Sequence, residues 1–484
     1  MQRPELRYFE QCEKEPLQFS GAIQQHGSLL ISDAQYRITH AAENLPQYLP
    51  GTAREWLGKE LPDTLRHLTK KLPENPGARV VSYGLHAPFL SPVDVVLTRG
   101  PEQNFLVELF LARDFHQHSS GRHLSAHFAD ANDMQCAHEE LVNEVRAILG
   151  FARTLFYHFR DDGDGEVVAE ARREPSLGSY LGLRFPGTDI PSNARALYMK
   201  NPYRLISDAQ ADPATILGHG SEPPDLSCSD LRSASPFHRV YMTNMGVRAS
   251  LSYPVAVGRE LYALVTAHHD EPVTPVLAAI EEAARRVRAH ALSIAEFSAS
   301  ERVRLIDGLS RHFHGVYQLS QNVLENWPSI GRVLMNDFAA DGAMLLEGGV
   351  LAETGLALEP EAVAALMAHL NAQPNDPIWQ SDSLSRSIAE FPYSQIAGAL
   401  VVRSPQRTGV ERCIVLTRAE FVQEVAWGGN PNKPVDVLDG VYNISPRRSF
   451  EKWIEKKMGY SRSWTRESKL LGFKLRELLQ AGAL

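Results

Sequence analysis

Apolar and polar residues alternate in short runs through the first part of the chain. Ser28–Ile31, Val80–Ser82, Val93–Leu97 and Phe105–Leu111 each read as a strand bounded by turn residues. Strands with helices packed to one side predict an α+β domain. A polar stretch at 116–125, containing Ser119-Ser120-Gly121, closes it. A three-to-four-residue period then takes over. Leu141, Val145 and Leu149 fall on one stripe of a helix predicted over Ala131–Leu149. Strand patterns return at Thr154–Phe159, Val167–Ala171, Ala249–Val257 and Tyr262–Ala267, which makes a second α+β unit. Between them, 177–246 is a long insertion that holds most of the polar chemistry. Segments of that length inside a domain are usually functional.

Leu277, Ile280, Ala284, Val287, Ala291 and Ile294 recur at steps of three and four, and no proline interrupts the stretch between Pro275 and Pro328. The spacing predicts one long helix. Its apolar face either packs on its own domain or meets a second copy in a parallel dimer. Strands at Ala343–Leu346, Ala397–Arg403 and Glu411–Leu416 predict a third domain of related build. Within it, the Gly- and Pro-rich segment from Trp427 to Phe450 reads as a hairpin or surface loop, and a last helix runs from Trp464 to Leu479. The expected domains are 1–117, 118–300 and 301–484.

The totals fit three domains: 484 residues, 43% hydrophobic, is enough apolar surface for sizeable cores. The net charge of −9 comes from interspersed charges without a basic stripe, so nucleic acid is not an expected partner. No run reaches the roughly 18–20 apolar residues that span a bilayer. The first residues lack the apolar core of a signal peptide, so a soluble, cytoplasmic protein is expected. Cys12, Cys136, Cys228 and Cys413 are scattered with no CxxC, which argues against a disulfide framework or a zinc site.

Candidate chemistry centres on 184–198. Asp189 sits in a loop clamped by Pro186 and Pro191, with Gly187 free to approach a neighbour and Ser192 at a predicted helix N-cap. Arg195, Tyr198 and Arg204 follow. A carboxylate in a stiff loop ahead of Arg and Tyr suits an extended ligand that carries both N–H donors and acids. Around this loop lie Cys12, in Glu10-Gln11-Cys12-Glu13-Lys14-Glu15-Pro16, and Gly21-Ala-Ile-Gln-Gln-His-Gly27. Downstream are Leu231-Arg232-Ser-Ala-Ser235-Pro-Phe-His238-Arg-Val-Tyr241, then Ser250 and Ser252, Ala267-His268-His269, and Pro446-Arg447-Arg448-Ser449-Phe450. In type, order and spacing this set resembles the bacterial phytochromes, red-light sensors that carry a linear tetrapyrrole, from about Cys12 to Phe450.

The resemblance implies a PAS domain, a chromophore-binding GAF domain and a PHY domain joined by long helices. It also implies a figure-of-eight knot that threads the segment around Ile23 through the GAF insertion, and a PHY tongue at about 421–455. It implies biliverdin IXα held by a thioether to Cys12. Arg204 and Arg232, helped by Tyr198 and Ser235, would take one propionate, and Ser250 and Ser252 the other. Asp189, in its Asp189-Ile190-Pro191 motif, would offer its backbone carbonyl to the pyrrole N–H groups and its side chain to tongue residue Arg447, next to Ser449. His238 would share a water with the inner pyrroles, and His268 would meet the D-ring carbonyl. Tyr157, Phe185 and Tyr241 would line the rotating ring. The resemblance further implies a homodimer through the long helices and a downstream histidine kinase or response regulator. The chain ends about one helix after the third domain, so the expectation is a truncated sensor, or one acting through partners, with no turnover of its own.

Two positions depart from the family pattern. The usual Pro-Ala-Ser-Asp-Ile-Pro is here Pro186-Gly187-Thr188-Asp189-Ile190-Pro191, and Pro254 removes a ladder donor from its strand. Two other functions fit the sequence less well. A GAF sensor of cyclic nucleotides needs a phosphate-binding nest or helix terminus, and no compelling phosphate loop is present. A metal hydrolase built on His268-His269-Asp270 would use adjacent strand histidines, which point to opposite faces.

Overall fold

The computed structural model describes residues 14–115, 127–174, 178–218, 222–317, 323–347, 349–373, 376–403, 412–431, 435–438, 441–444 and 450–480. The chain divides into two compact units. One is Met1–Ala295 with Trp427–Trp453; the other is Glu296–Ala426 with Ile454–Leu484.

The first unit holds two large sheets and a two-stranded one, Val435–Leu438 with Val441–Ile444. One runs in the order Ala22–Ile23, Ala214–Gly218, Ile38–Ala42, Ser28–Ser32, Phe105–Leu111, Val93–Arg99 and Arg79–Leu85. Successive side chains leave opposite faces of a strand. Leu30, Val107 and Leu109 therefore pack with Leu45, Leu49 and Leu65 on one side. Leu29, Ile31 and Leu106 pack on the other with Ile23, Ala214, Leu226 and Leu231. The pattern predicted helices on one side only. The structure adds a second cover, made by the insertion, because 214–218 pairs with 38–42 and extends this sheet.

The other sheet runs Arg204–Ile206, Ala249–Val257, Glu260–His269, Arg153–Phe159, Gly165–Arg172 and Arg184–Phe185, and Trp427 pairs in parallel with Arg184. Pro254 sits where the sheet tolerates it. The strand 204–206 stops opposite Ser252, so at Pro254 only the ladder to Leu264 remains. The helix Ala131–Leu149 is capped by Asp130, which accepts from Asn132 N and Asp133 N, and it ends at left-handed Gly150.

The long helix is Leu277–Tyr317. All six residues of its predicted stripe are buried by this same chain, which satisfies the first of the two readings of that face. The next helix, Val323–Asp337, contains Pro328. The proline falls early in that helix, where its missing N–H forfeits a single ladder bond. The expected cap at Ser192 is corrected. Pro191 takes the N-cap position of helix Ser192–Tyr198 in the extended conformation usual for that position (φ −64°, ψ 162°), and no side chain caps the helix.

The second unit carries a five-stranded sheet, in the order Val350–Gly355, Gly342–Glu347, Arg412–Ala419, Ile396–Arg403 and Ile378–Ser381. Both of its faces are filled. Ala343, Leu345, Leu400 and Val402 point into one apolar cluster; Met344, Leu346, Ala399 and Val401 point into another.

Candidate functional site

The 204–269 part of the second sheet builds one wall of a large cavity. Ser250 and Ser252 on one strand, with Leu264, Thr266 and His268 on the next, all face inward, as the two-residue period requires. Ser250 lies opposite His268 and Ser252 opposite Thr266, where the two hydroxyls meet at 3.1 Å. Across the edge, Arg204 pairs with Ser252 and shares that face.

The opposite wall comes from the insertion. It contributes Thr188, Asp189, Ile190 and Tyr198, the 229–235 turn with Arg232 and Ser235, and the helix Pro236–Asn244 with His238 and Tyr241. Tyr157 and Phe185, 6.0 Å apart between ring centroids, close one end. The space amounts to about 1820 Å³, open mouth included. Every described residue expected to contact the ligand lines this one cavity. Cys12, Arg447 and Ser449 lie outside the described residues.

The loop at Asp189 is held by Arg195. Its Nε donates to Ile190 O at 2.8 Å and its Nη2 to Gly163 O at 2.8 Å and Gly187 O at 3.0 Å. Gly187 is needed for this fit, since a Cβ there would stand 2.5 Å from Gly163 O. Tyr241 Oη donates to Asp189 Oδ2 at 3.1 Å, and the same ring meets Phe450 edge-on at 5.2 Å.

The cavity is short of anions. Burial, then the charge of Arg232, brings the Arg204 guanidinium down to about 9, against the opposing pull of Tyr198, Asp230 and Glu108. Burial also lowers Arg232, whose Nη1 finds no hydrogen-bond partner among the described residues. Burial, with Arg204 nearby, lowers His238 to about 4. Burial, Arg153 and His238 lower His268 to about 3. Both imidazoles are therefore neutral at pH 7 and able to donate and accept. His268 Nδ1 also lacks a partner among the described residues. His269 turns away, accepting from Ala152 N at 3.0 Å. Two buried guanidiniums, hydroxyls and neutral imidazoles in an otherwise apolar cavity suit a long, flat molecule with two acidic arms.

Comparison with known proteins identifies the domains. Residues 12–80 match the PAS fold model, 133–295 the GAF domain and 315–481 the phytochrome region. A bacteriophytochrome of Pseudomonas aeruginosa is 32% identical over 96% of this chain and 65% of its own length. The Stigmatella aurantiaca phytochrome photosensory core module superposes with a TM-score of 0.79 at 28% identity, covering 97% of this chain and 98% of that one. The chain belongs to the bacteriophytochromes.

Cyanobacterial phytochrome B of Nostoc sp. is a further relative, 33% identical over 67% of this chain and 44% of its own. This bacteriophytochrome chain thus spans 65% and 44% of the length of those two curated relatives. No described helix is long and apolar enough to cross a membrane. Its amino-terminal segment is clasped on both sides. Ala22 and Ile23 pair with Thr215 and Ala214, while Gln24 N donates to Leu231 O and Ser233 N to Ala22 O.

Several cavity residues of this bacteriophytochrome escaped the sequence reading. Glu15 accepts from Ser235 Oγ at 2.8 Å, and Tyr203 and Thr266 also line the space. The two-residue period would have found Thr266, midway between Leu264 and His268. For Glu15, proximity to Cys12 was the one available signal.

Proposed function

We propose that this chain is the light-sensing part of a red/far-red photoreceptor that binds biliverdin covalently through Cys12. The observation that carries the reading is the cavity itself, in which the expected contacts converge around two guanidiniums short of acids. A linear tetrapyrrole, once bound, supplies visible absorption and a double bond that light isomerises. The residues of the chain do the rest. Arg204 and Arg232, with Tyr198 and Ser235, hold one propionate, and Ser250 and Ser252 the other. The Asp189 carbonyl accepts from pyrrole N–H groups, with Ile190 beside it. Neutral His238 keeps a proton path at the inner pyrroles, and His268 Nδ1 or Nε2 donates to the D-ring carbonyl. Tyr157, Phe185 and Tyr241 shape the space for the turning ring. Cys12 adds its thiol across a vinyl group, which needs no leaving group.

The relay we assign runs from Asp189 through Tyr241 to the tongue, with Arg447 and Ser449 as the tongue's partners for Asp189. The Tyr241–Phe450 contact and the pairing of Trp427 with Arg184 support it. We further assign the amino-terminal clasp to a figure-of-eight knot. The output is a histidine kinase or response regulator acted on by a homodimer joined through the long helices.

The test is direct. Apoprotein is mixed with biliverdin, denatured, and examined for zinc-induced bilin fluorescence on the protein band. Cys12→Ser abolishes the covalent signal and retains non-covalent pigment. Protein that stays colourless sinks the reading.

A further inference from the structure

One buried acid outside the cavity has no part in the reading above. Glu108 lies mid-strand in Phe105–Leu111, opposite Val96 on one side and Leu29 on the other, and is fully buried. Leu106 and Phe110, its neighbours on that face, pack with Leu226 and Leu231 of the insertion. A carboxyl in such surroundings is costly unless it is hydrogen-bonded. Glu108 Oε1 accepts from Ser229 Oγ at 2.6 Å and from Leu231 N at 2.8 Å. Ser229 Oγ in turn accepts from Arg232 N at 3.2 Å.

The turn fixed in this way serves both arginines of the cavity. It carries Arg232, whose side chain reaches the cavity wall. Its carbonyls also receive Arg204, which donates from Nη2 to Ser233 O at 3.0 Å and from Nη1 to Asp230 O at 3.4 Å. The neighbouring Asp230 is itself held, accepting from Tyr203 Oη at 2.6 Å and meeting Arg79 Nη2 at 3.0 Å. Burial, then the charge of Asp230, raises the Glu108 carboxyl to about 7, against the two donors that favour its ionised form.

We propose that Glu108, contributed by the first domain, is the positioning residue for the two arginines that take the acidic arms of the ligand. It never touches that ligand. It sets the 229–233 turn so that Arg232 faces the cavity and Arg204 finds its carbonyl anchors. The proposal rests on the ligand's carrying carboxylates, as in the reading above, and gives the first domain a direct part in ligand selection.

The test compares biliverdin with its dimethyl ester, whose propionates are blocked, in titrations of Cys12→Ser protein so that uptake is reversible. In Glu108→Leu the Kd for the diacid rises roughly ten-fold or more, while the Kd for the diester changes by less than about two-fold. Glu108→Gln keeps an oxygen facing both donors and returns diacid binding to within about three-fold of the parent. Equal losses for both pigments would mean a structural role alone and overturn the proposal, as would no loss for either. A parent that takes up neither pigment overturns the tetrapyrrole reading, and this proposal with it.

Discussion

The sheets of the second and third domains share an alternation and use it differently. In the third domain, even- and odd-numbered residues of the central strands feed two apolar clusters, so Leu400 and Val401 are equally buried on opposite faces. In the second domain, Leu251, Tyr253 and Val255 fill one face in the same manner, while Ser250, Ser252, Thr266 and His268 line a cavity on the other. A sheet face that gives up its apolar filling keeps its backbone ladders but loses burial energy. The hydroxyls, imidazoles and guanidiniums that replace it are stabilising only when a ligand answers them.

The contrast can be broken most sharply in the third domain. Leu400→Ala there removes a fully buried side chain and costs about 2–5 kcal/mol in denaturant unfolding, with biliverdin uptake unchanged. A loss well under 1 kcal/mol would mean that this face is not filled as described. The cavity answers the other way. Arg232→Leu leaves apoprotein stability within about 1 kcal/mol, because the charge removed was buried beyond its hydrogen bonds. The same change weakens biliverdin binding by roughly 10- to 100-fold in a pigment titration.

Acid sharpens the comparison further. His238 and His268, at about 4 and about 3 against an ordinary 6.5, take up protons in the unfolded chain first. The stability that they confer as neutral groups is therefore present above pH 6.5 and falls as the pH drops toward 4. Thermal melts of the apoprotein at pH 7 and pH 5 are expected to differ by roughly 1–2 kcal/mol through His268, the less exposed of the two, and His268→Gln should shrink the difference. The smallest effect concerns His268→Ala. Pigment uptake changes by less than about two-fold, while the reversible red/far-red absorbance change falls by about half. Equal loss of both would remove His268 from the D-ring role.

Local pattern carried most of the elements. The helix Ala131–Leu149 and the strands Phe105–Leu111 and Ala249–Val257 begin and end where periodicity put them. The inward set Ser250, Ser252 and His268 was legible as motif and is consistent with strand period. Contacts between distant segments were legible only through the family resemblance, not from local pattern. Nothing in Ala22-Ile23 announces a partner at 214–215, and nothing in Arg184 announces Trp427. Glu108 did leave a mark, a single acid in the apolar run Phe105-Leu-Val-Glu-Leu-Phe-Leu111, but an isolated charge in a strand reads first as a solvent-facing position. Ser192 was misjudged for a simpler reason: the proline before it had already taken the capping position.

The pairing of Ala22-Ile23 with Ala214-Thr215 also bears on how the chain is made. At about 5–20 residues per second, a ribosome needs roughly 10–40 seconds to deliver the second strand after the first. Over that interval the nascent amino-terminal segment has no sheet neighbour and must be kept from wrong ones. A holding chaperone over this window would raise the yield of correctly paired protein, and slowed translation would lower it.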